Sequence, residues 1–131
     1  QQEVTLLPNQ ATELAAQPAS AAGVVTGARL LLGERVVARA ALWPEPFKYL
    51  TLPDPGLQIE RLSNDRLRLT VQRPAKGVLL AADPDQRWGD NLLDLQPDDD
   101  QIVSAPGIGD AVTARWLGPD ATVEYAVTPV P

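Results

Sequence analysis

The sequence predicts an all-β protein built as an antiparallel β-sandwich, and two observations support this fold class. Apolar and polar side chains alternate with a period of two along many short segments, the pattern of strands with one buried and one solvated face. Turn-forming residues separate these segments, and thirteen prolines oppose long helices because each removes a hydrogen-bond donor. A chain of 131 residues is therefore expected to form a single domain with one modest core.

The clearest strand is predicted at residues 66–72, which read RLRLTVQ. Its apolar residues Leu67, Leu69 and Val71 share one face, and its polar residues share the other. The same alternation appears near the C-terminus, around residues 112–116 and 122–128. Each of these segments is predicted to bury one face in the core.

A β-hairpin is predicted for residues 24–32 and 35–42. Only Gly33-Glu34 separates the two runs, and a glycine in a two-residue connection favours the turn types that match strand twist. In the second run, Val36 and Leu42 fall on the apolar side of the alternation, so both are expected to be buried.

Further strands are predicted at the short apolar runs 4–7, 57–62, 78–82, 92–95 and 102–104, which turn-forming residues separate. The helix-compatible segment 13–22 contains Pro18 and is expected to be a strand end and loop. The residues predicted to form the core are Leu67, Leu69, Val71, Val36, Leu42, Ile59, Val78, Leu80, Leu93, Leu95 and Val123.

The composition disfavours several classes of partner. Seventeen acidic and eleven basic residues give a formal net charge of -6, which repels a polyphosphate backbone, so nucleic acid is not expected to bind. No apolar run approaches the roughly 20 residues of a membrane-spanning helix, so no membrane partner is expected. Because methionine is absent, we expect a fragment of a larger protein.

Catalytic and metal-binding residues are not predicted. The sequence contains neither histidine nor cysteine, which removes the usual general base, the common nucleophile pairs and thiolate metal sites. The glutamates fall mostly at outward strand positions or in turns, where nothing holds two carboxyl groups together. Asp98, Asp99 and Asp100 could offer oxygen ligands to calcium, but the EF-hand spacing is missing and a turn explains them equally well. No metal or other cofactor is predicted.

The three tryptophans are the remaining candidates for a binding role. Trp43 and Trp116 lie in or beside alternating strands, so packing in the core or at a sheet edge is expected for both. Trp88 lies in a loop, and it is a candidate contact for sugar or for a protein interface because aromatic residues are enriched at interfaces.

Two segments carry a resemblance to a known family. Residues 43–57, WPEPFKYLTLPDPGL, resemble the PPK-x-L-x-L-P-D-P connection near the end of the β-mannosidases of glycoside hydrolase family 2. Residues 76–80, KGVLL, and 88–97, WGDNLLDLQP, resemble the F-S-D-N-F-F-D-L-x-P-G strand and turn of the same C-terminal immunoglobulin-like domain. The resemblance covers about residues 24–104. Trp88-Gly89 replaces Phe-Ser, and Pro97-Asp98-Asp99 replaces Pro-Gly-Glu.

The resemblance implies an immunoglobulin-like β-sandwich without catalytic residues. In such enzymes the catalytic glutamates lie on a preceding (β/α)8 barrel, and the expected partner is that catalytic domain of the same polypeptide. The parent is expected to be periplasmic or secreted. The alternatives are an autonomous carbohydrate-binding module, with Trp88, Asp90 and Asn91 as candidate sugar contacts, and a cell-surface adhesion sandwich. Asp90 and Asn91 fit a structural role better, because short polar side chains beside a strand bond neighbouring backbone groups.

Overall fold

A computed structural model describes residues 1–14, 24–43, 46–118 and 122–126. A short 3₁₀ turn lies at Phe47–Tyr49, and none of the helical structure in the described ranges has the length and apolar character to cross a membrane. The strands are β1 (Thr26–Leu32), β2 (Arg35–Leu42), β3 (Gln58–Ser63), β4 (Arg66–Thr70), β5 (Ala75–Ala81), β6 (Leu93–Leu95), β7 (Gln101–Ser104), β8 (Ala111–Arg115) and β9 (Thr122–Ala126). The all-β prediction is confirmed.

Seven of these strands form two antiparallel sheets. One sheet has the order β3-β4-β7 and the other the order β6-β5-β8-β9. Because β8 pairs with β5, and β9 pairs with β8, the strands after Ser104 complete the second sheet. The two sheets share one apolar core, as the predicted immunoglobulin-like β-sandwich requires.

The core consists of the alternating inward side chains of both sheets. Leu67 and Leu69 of β4 are fully buried, and Leu67 lies opposite Val103 of β7. From the other sheet, Val78 and Leu80 are at most 2% exposed. Each buried aliphatic side chain of this size contributes roughly 1.5–3 kcal/mol through removal of apolar surface from water. These contacts hold the sheets together.

Most of the predicted core is confirmed. Leu67, Leu69, Val78, Leu80, Leu93 and Leu95 are buried, while Ile59 and Val71 are half-buried and pack against the same cluster. Val123 lies at a position whose side chain is outside the described part of the structure. Buried residues that the prediction omitted are Pro55, Leu57, Ala75, Gln101, Val103, Ala105, Ile108, Val112 and Ala114.

The hairpin prediction is confirmed, but the predicted burial of two of its residues is wrong. β1 pairs with β2, and Gly33 takes the left-handed backbone (φ 62°) that its turn requires. Leu42 is 70% exposed, and Val36 is half-buried outside the core cluster. The reason is that β1 and β2 form a separate two-stranded sheet, so the apolar side of β2 does not face the sandwich core.

The strand predicted at residues 4–7 is also wrong. The structure assigns no strand there, and Leu6 and Leu7 are each more than half exposed. An apolar run needs a sheet edge that accepts its backbone hydrogen bonds, and no described strand pairs with this segment. The predicted strand end and loop at residues 13–22 falls largely outside the described ranges.

Candidate functional site

A polar cleft of about 740 Å³ separates the β1–β2 hairpin from the segment 90–101 that surrounds β6. Gly27, Arg29 and Arg39 line it from the hairpin, and Asp94 and Asp99 line it from the opposite side. The predicted residues Asp90 and Asn91 also line it. Polar residues of the hairpin and of the segment around β6 therefore line the same cleft.

Asp94 of β6 lies at the centre of a hydrogen-bond network. Its Oδ2 accepts hydrogen bonds from the Trp43 indole N–H at 3.1 Å and from Lys76 Nζ at 2.6 Å. Its Oδ1 accepts from the backbone N–H of Gly77 at 3.0 Å. The Lys76 ammonium also lies 5.7 Å from the centroid of the Trp43 ring, within the range of a cation–π interaction.

This network ties together separate parts of the chain. Trp43 follows β2 and precedes the two sheets of the sandwich, Lys76 and Gly77 belong to β5, and Asp94 belongs to β6. The backbone carbonyl of Asp94 also accepts a hydrogen bond from Nε2 of Gln101, whose residue is 6% exposed. All these residues except Gln101 lie in the segments that carry the family resemblance. Together they hold β5, β6 and the connection that begins at Trp43 in place.

Asn91 pairs with the backbone of β5. Its Oδ1 accepts the N–H of Leu80 at 2.7 Å, and its Nδ2 donates to the carbonyl of Leu80 at 2.9 Å. The same Oδ1 accepts the N–H of Leu92 at 3.0 Å. The carboxamide thereby replaces the partner that a further strand would offer to Leu80. The expected hydrogen bonding of Asn91 to nearby backbone is present.

Asp90 and Trp88 occupy different surroundings. Asp90 is exposed, and its Oδ1 accepts the N–H of Asn91 at 2.8 Å. Trp88 is half-buried and packs against the sandwich core, and it is not among the described residues that line the cleft. The structure thus brings Asp90 and Asn91 to the cleft and leaves Trp88 away from it. A contact of any of the three with sugar or with an interface stays a prediction.

Gly89 follows Trp88 and holds its loop against β7. Its N–H donates to the carbonyl of Ser104 at 2.7 Å. A Cβ atom at position 89 would lie 2.9 Å from the Cβ of Ser104, closer than such atoms approach. Glycine in place of the serine of the family pattern is therefore matched to this close approach.

Asp99 joins the hairpin to the sandwich through charge. The Arg39 guanidinium donates to both carboxylate oxygens, at 2.9 and 3.1 Å, and Arg29 donates to Oδ1 at 3.3 Å. The Asp99 side chain is only 9% exposed, so two cations compensate a largely desolvated carboxylate. The sequence analysis did not predict this cluster. A usable signal was that the predicted hairpin places Arg29 and Arg39 on neighbouring strands, where they lie opposite each other.

The carboxylates at and beside the cleft are engaged by cations of the chain itself. Asp99 is engaged by two arginines, and Asp100 lies 3.8 Å from Arg68. Within the described ranges, no three acidic, histidine or cysteine side chains are grouped so that they could hold a metal ion. The carboxylates at the cleft serve hydrogen bonds and ion pairs that connect one strand to another.

Three curated relatives establish the similarity of the chain to known proteins. Proteins named Beta-mannosidase B from Emericella nidulans and Neosartorya fischeri are 34% identical over 114 residues and 37% identical over 101 residues. These alignments cover 82% and 72% of this chain but 14% and 12% of the relatives. The Aspergillus niger protein of the same name is 30% identical over 116 residues, which are 82% of this chain and 14% of the relative.

The chain therefore spans about one seventh of the length of these relatives. No protein-family model matches the chain. No solved structure shows significant similarity to it.

Proposed function

We propose that this chain, which is homologous to a short segment of proteins named Beta-mannosidase B, is a non-catalytic accessory domain of a larger glycoside hydrolase. In this proposal the domain packs on the catalytic part of the same polypeptide, and the parent cleaves β-mannosides. We further propose that the domain lies near the C-terminus of the parent and that its own 131 residues supply no catalytic group.

One observation carries the proposal: Asp94 and Asn91, both in the family-like segments, use their side chains to hold the fold together. Asp94 joins Trp43, Lys76 and Gly77, and Asn91 satisfies the backbone of Leu80. A carboxylate that performs acid-base chemistry needs access to the substrate. Asp94 instead accepts three hydrogen bonds from its own chain. Side chains used in this way favour a structural role.

The absence of histidine and cysteine from the sequence adds support. Glycoside hydrolysis could still use two carboxyl groups, about 5 Å apart for retention and farther apart for inversion, with space between them for the sugar. At the cleft, Asp99 holds two arginines and Asp94 holds Lys76. The homology also leaves an unrelated cell-surface adhesion sandwich without support.

The full-length parent tests this proposal through Asp94→Ala. We expect the thermal midpoint for loss of mannosidase activity to fall, because Trp43, Lys76 and Gly77 each lose the hydrogen bond to Asp94. We expect kcat and KM well below that midpoint to stay near those of the wild type. Asp85→Ala, at an exposed turn residue, is the control and should leave the midpoint unchanged. A lower kcat in Asp94→Ala with an unchanged midpoint contradicts the proposal.

Carbohydrate binding is a second candidate function, favoured by the cleft that Asp90 and Asn91 line. Its polar lining offers hydrogen-bond groups to sugar hydroxyls. Titration of the chain with manno-oligosaccharides, followed by tryptophan fluorescence, tests it because Trp43 is hydrogen-bonded to Asp94 of the same cleft. Saturable binding that Asp90→Ala weakens supports this function. No spectral change at millimolar sugar contradicts it.

A further inference from the structure

The β1–β2 hairpin turns its charged face towards the sandwich. Arg29 and Arg39 are paired across the two strands and both reach Asp99. On the same face, a Cβ atom at Gly27 would lie 3.2 Å from the side chain of Gln96. Two independent contacts therefore identify the inward face of the hairpin: that of Arg29 and Arg39 with Asp99, and that of Gly27 with Gln96.

The outward face is apolar along its centre. Antiparallel register places Ala28 opposite Ala40 and Leu30 opposite Ala38, on the side of the hairpin away from Arg29 and Arg39. All four residues are exposed, and Leu42 is 70% exposed. A half-buried strand normally turns its charged residues to water and its apolar residues to the core. This hairpin has the opposite orientation towards its own sandwich.

The hairpin also lacks neighbouring strands. Within the described ranges it is a sheet of two strands, and a two-stranded hairpin is at best marginally stable in water. We infer that its outward face, defined by Ala28, Leu30, Ala38, Ala40 and Leu42, packs against an apolar β-sheet contributed by another part of the parent polypeptide. This inference rests on the proposed function, in which the chain belongs to a larger protein.

The size of the face favours this occupant over a second copy of the chain. With seven residues in β1, about 3.3 Å per residue and about 4.8 Å for each of the two strands give a face of roughly 220 Å². A stable interface between separate proteins buries about 800 Å² on each partner. Within one polypeptide the effective concentration is high, so a smaller contact suffices. A parent of the relatives' length has enough further chain to provide such a sheet, since the aligned segment is at most 14% of the length of these relatives.

Cysteine labelling gives a clean test because the chain contains no cysteine. Ala38→Cys places a thiol on the outward face, and Glu34→Cys places one in the exposed hairpin turn as a control. In the isolated chain both positions should react rapidly with a thiol reagent. In the full-length parent, mass-resolved labelling of Ala38→Cys should slow by about tenfold or more while Glu34→Cys stays fast.

Amide hydrogen exchange supplies a measurement that needs no substitution. The amides of β1 and β2 should exchange more slowly in the parent than in the isolated chain, because the packed sheet suppresses local opening. Equal labelling rates at Ala38→Cys and equal exchange in both polypeptides would overturn the inference. So would protection in the isolated chain that grows with its concentration, since that result identifies a second copy as the occupant.

Mannosidase activity, measured on the same parent preparation, separates this inference from the proposed function. An inactive parent with a protected Ala38→Cys thiol overturns the proposed function and supports the packing. An active parent with a freely reacting thiol overturns the packing and leaves the proposed function standing.

Discussion

Asn91 uses its side chain to replace strand pairing at the backbone of Leu80. Asn91→Ala leaves the N–H and carbonyl of Leu80 without their partners, and Leu80 is a core residue at 2% exposure. We expect a loss of about 2 kcal/mol in the free energy of unfolding, measured by urea denaturation. Asn64→Ala, in an exposed turn, is the matched control and should change the free energy by less than about 0.5 kcal/mol. Equal effects in the two variants would contradict this role.

Asp98 shows how backbone conformation explains a departure from the family pattern. It occupies the position where the resembling enzymes have glycine, and its φ of 61° lies in the left-handed region. Asp98→Gly should stay within about 0.5 kcal/mol of the wild type, whereas Asp98→Val should lose about 1–2 kcal/mol because a β-branched side chain is strained there. Thermal unfolding of the two variants checks this. A valine variant as stable as the glycine variant would rule out backbone strain at this position.

Tyr125 predicts a dependence of stability on alkaline pH. Burial, and secondarily the negative charge of Asp54, raise the pKa of its hydroxyl, which donates to the carbonyl of Leu57 at 3.0 Å. The folded chain therefore holds this proton more tightly than the unfolded chain does. The stability it contributes is complete below the unfolded value of about 10 and is lost as pH rises through the higher folded value.

Tyr125→Phe tests that sign. At pH 7 the variant should lose about 1 kcal/mol with the hydrogen bond, and above pH ~10 its stability should fall less steeply than that of the wild type. Tyr49→Phe, on an exposed ring, is the control for tyrosine removal. Urea denaturation from pH 7 to 11 provides the comparison. A steeper alkaline loss in Tyr125→Phe would show that the sign is wrong.

At the scale of elements, β4 contributes two of the fully buried side chains of the core. Leu67 and Leu69 are both fully buried, and β4 lies between β3 and β7. Leu67→Ala should lower the free energy of unfolding by about 2–5 kcal/mol, through lost burial and the cavity left behind. Leu7→Ala, at an exposed residue, should have no measurable effect. A small effect of Leu67→Ala would mean that the sheets do not share this core.

Strand positions could be predicted because alternation and turn residues are local signals. The β1–β2 turn follows from Gly33-Glu34 alone, and β4 follows from its own sequence. The direction in which the hairpin faces could not be predicted. The alternation that ends at Leu42 shows that β2 has an apolar face, but it does not show whether that face packs on this sandwich or on another sheet. The segment 4–7 has the composition of a strand but no sheet edge to join.

Parts of the cleft were also accessible to sequence reasoning. The hydrogen bonds of Asn91 follow from its place beside a strand. The meeting of Trp43, Lys76 and Asp94 does not, because they are separated along the sequence and only strand pairing and the approach of the connection bring them together. Likewise, the pairing of Arg29 and Arg39 with Asp99 depends on where the hairpin lies.

At the scale of the whole molecule, two sheets close one core while ion pairs and hydrogen bonds attach the hairpin and the loops around β6. The proposed function requires that this architecture support a catalytic neighbour and perform no hydrolysis itself. The most direct measurement is an assay of the purified 131-residue chain on a chromogenic β-mannoside, with the full-length parent as the positive control. We expect the parent to release product and the isolated chain to release none above the blank. Turnover that co-purifies with the folded chain, and disappears in Leu67→Ala, would contradict it.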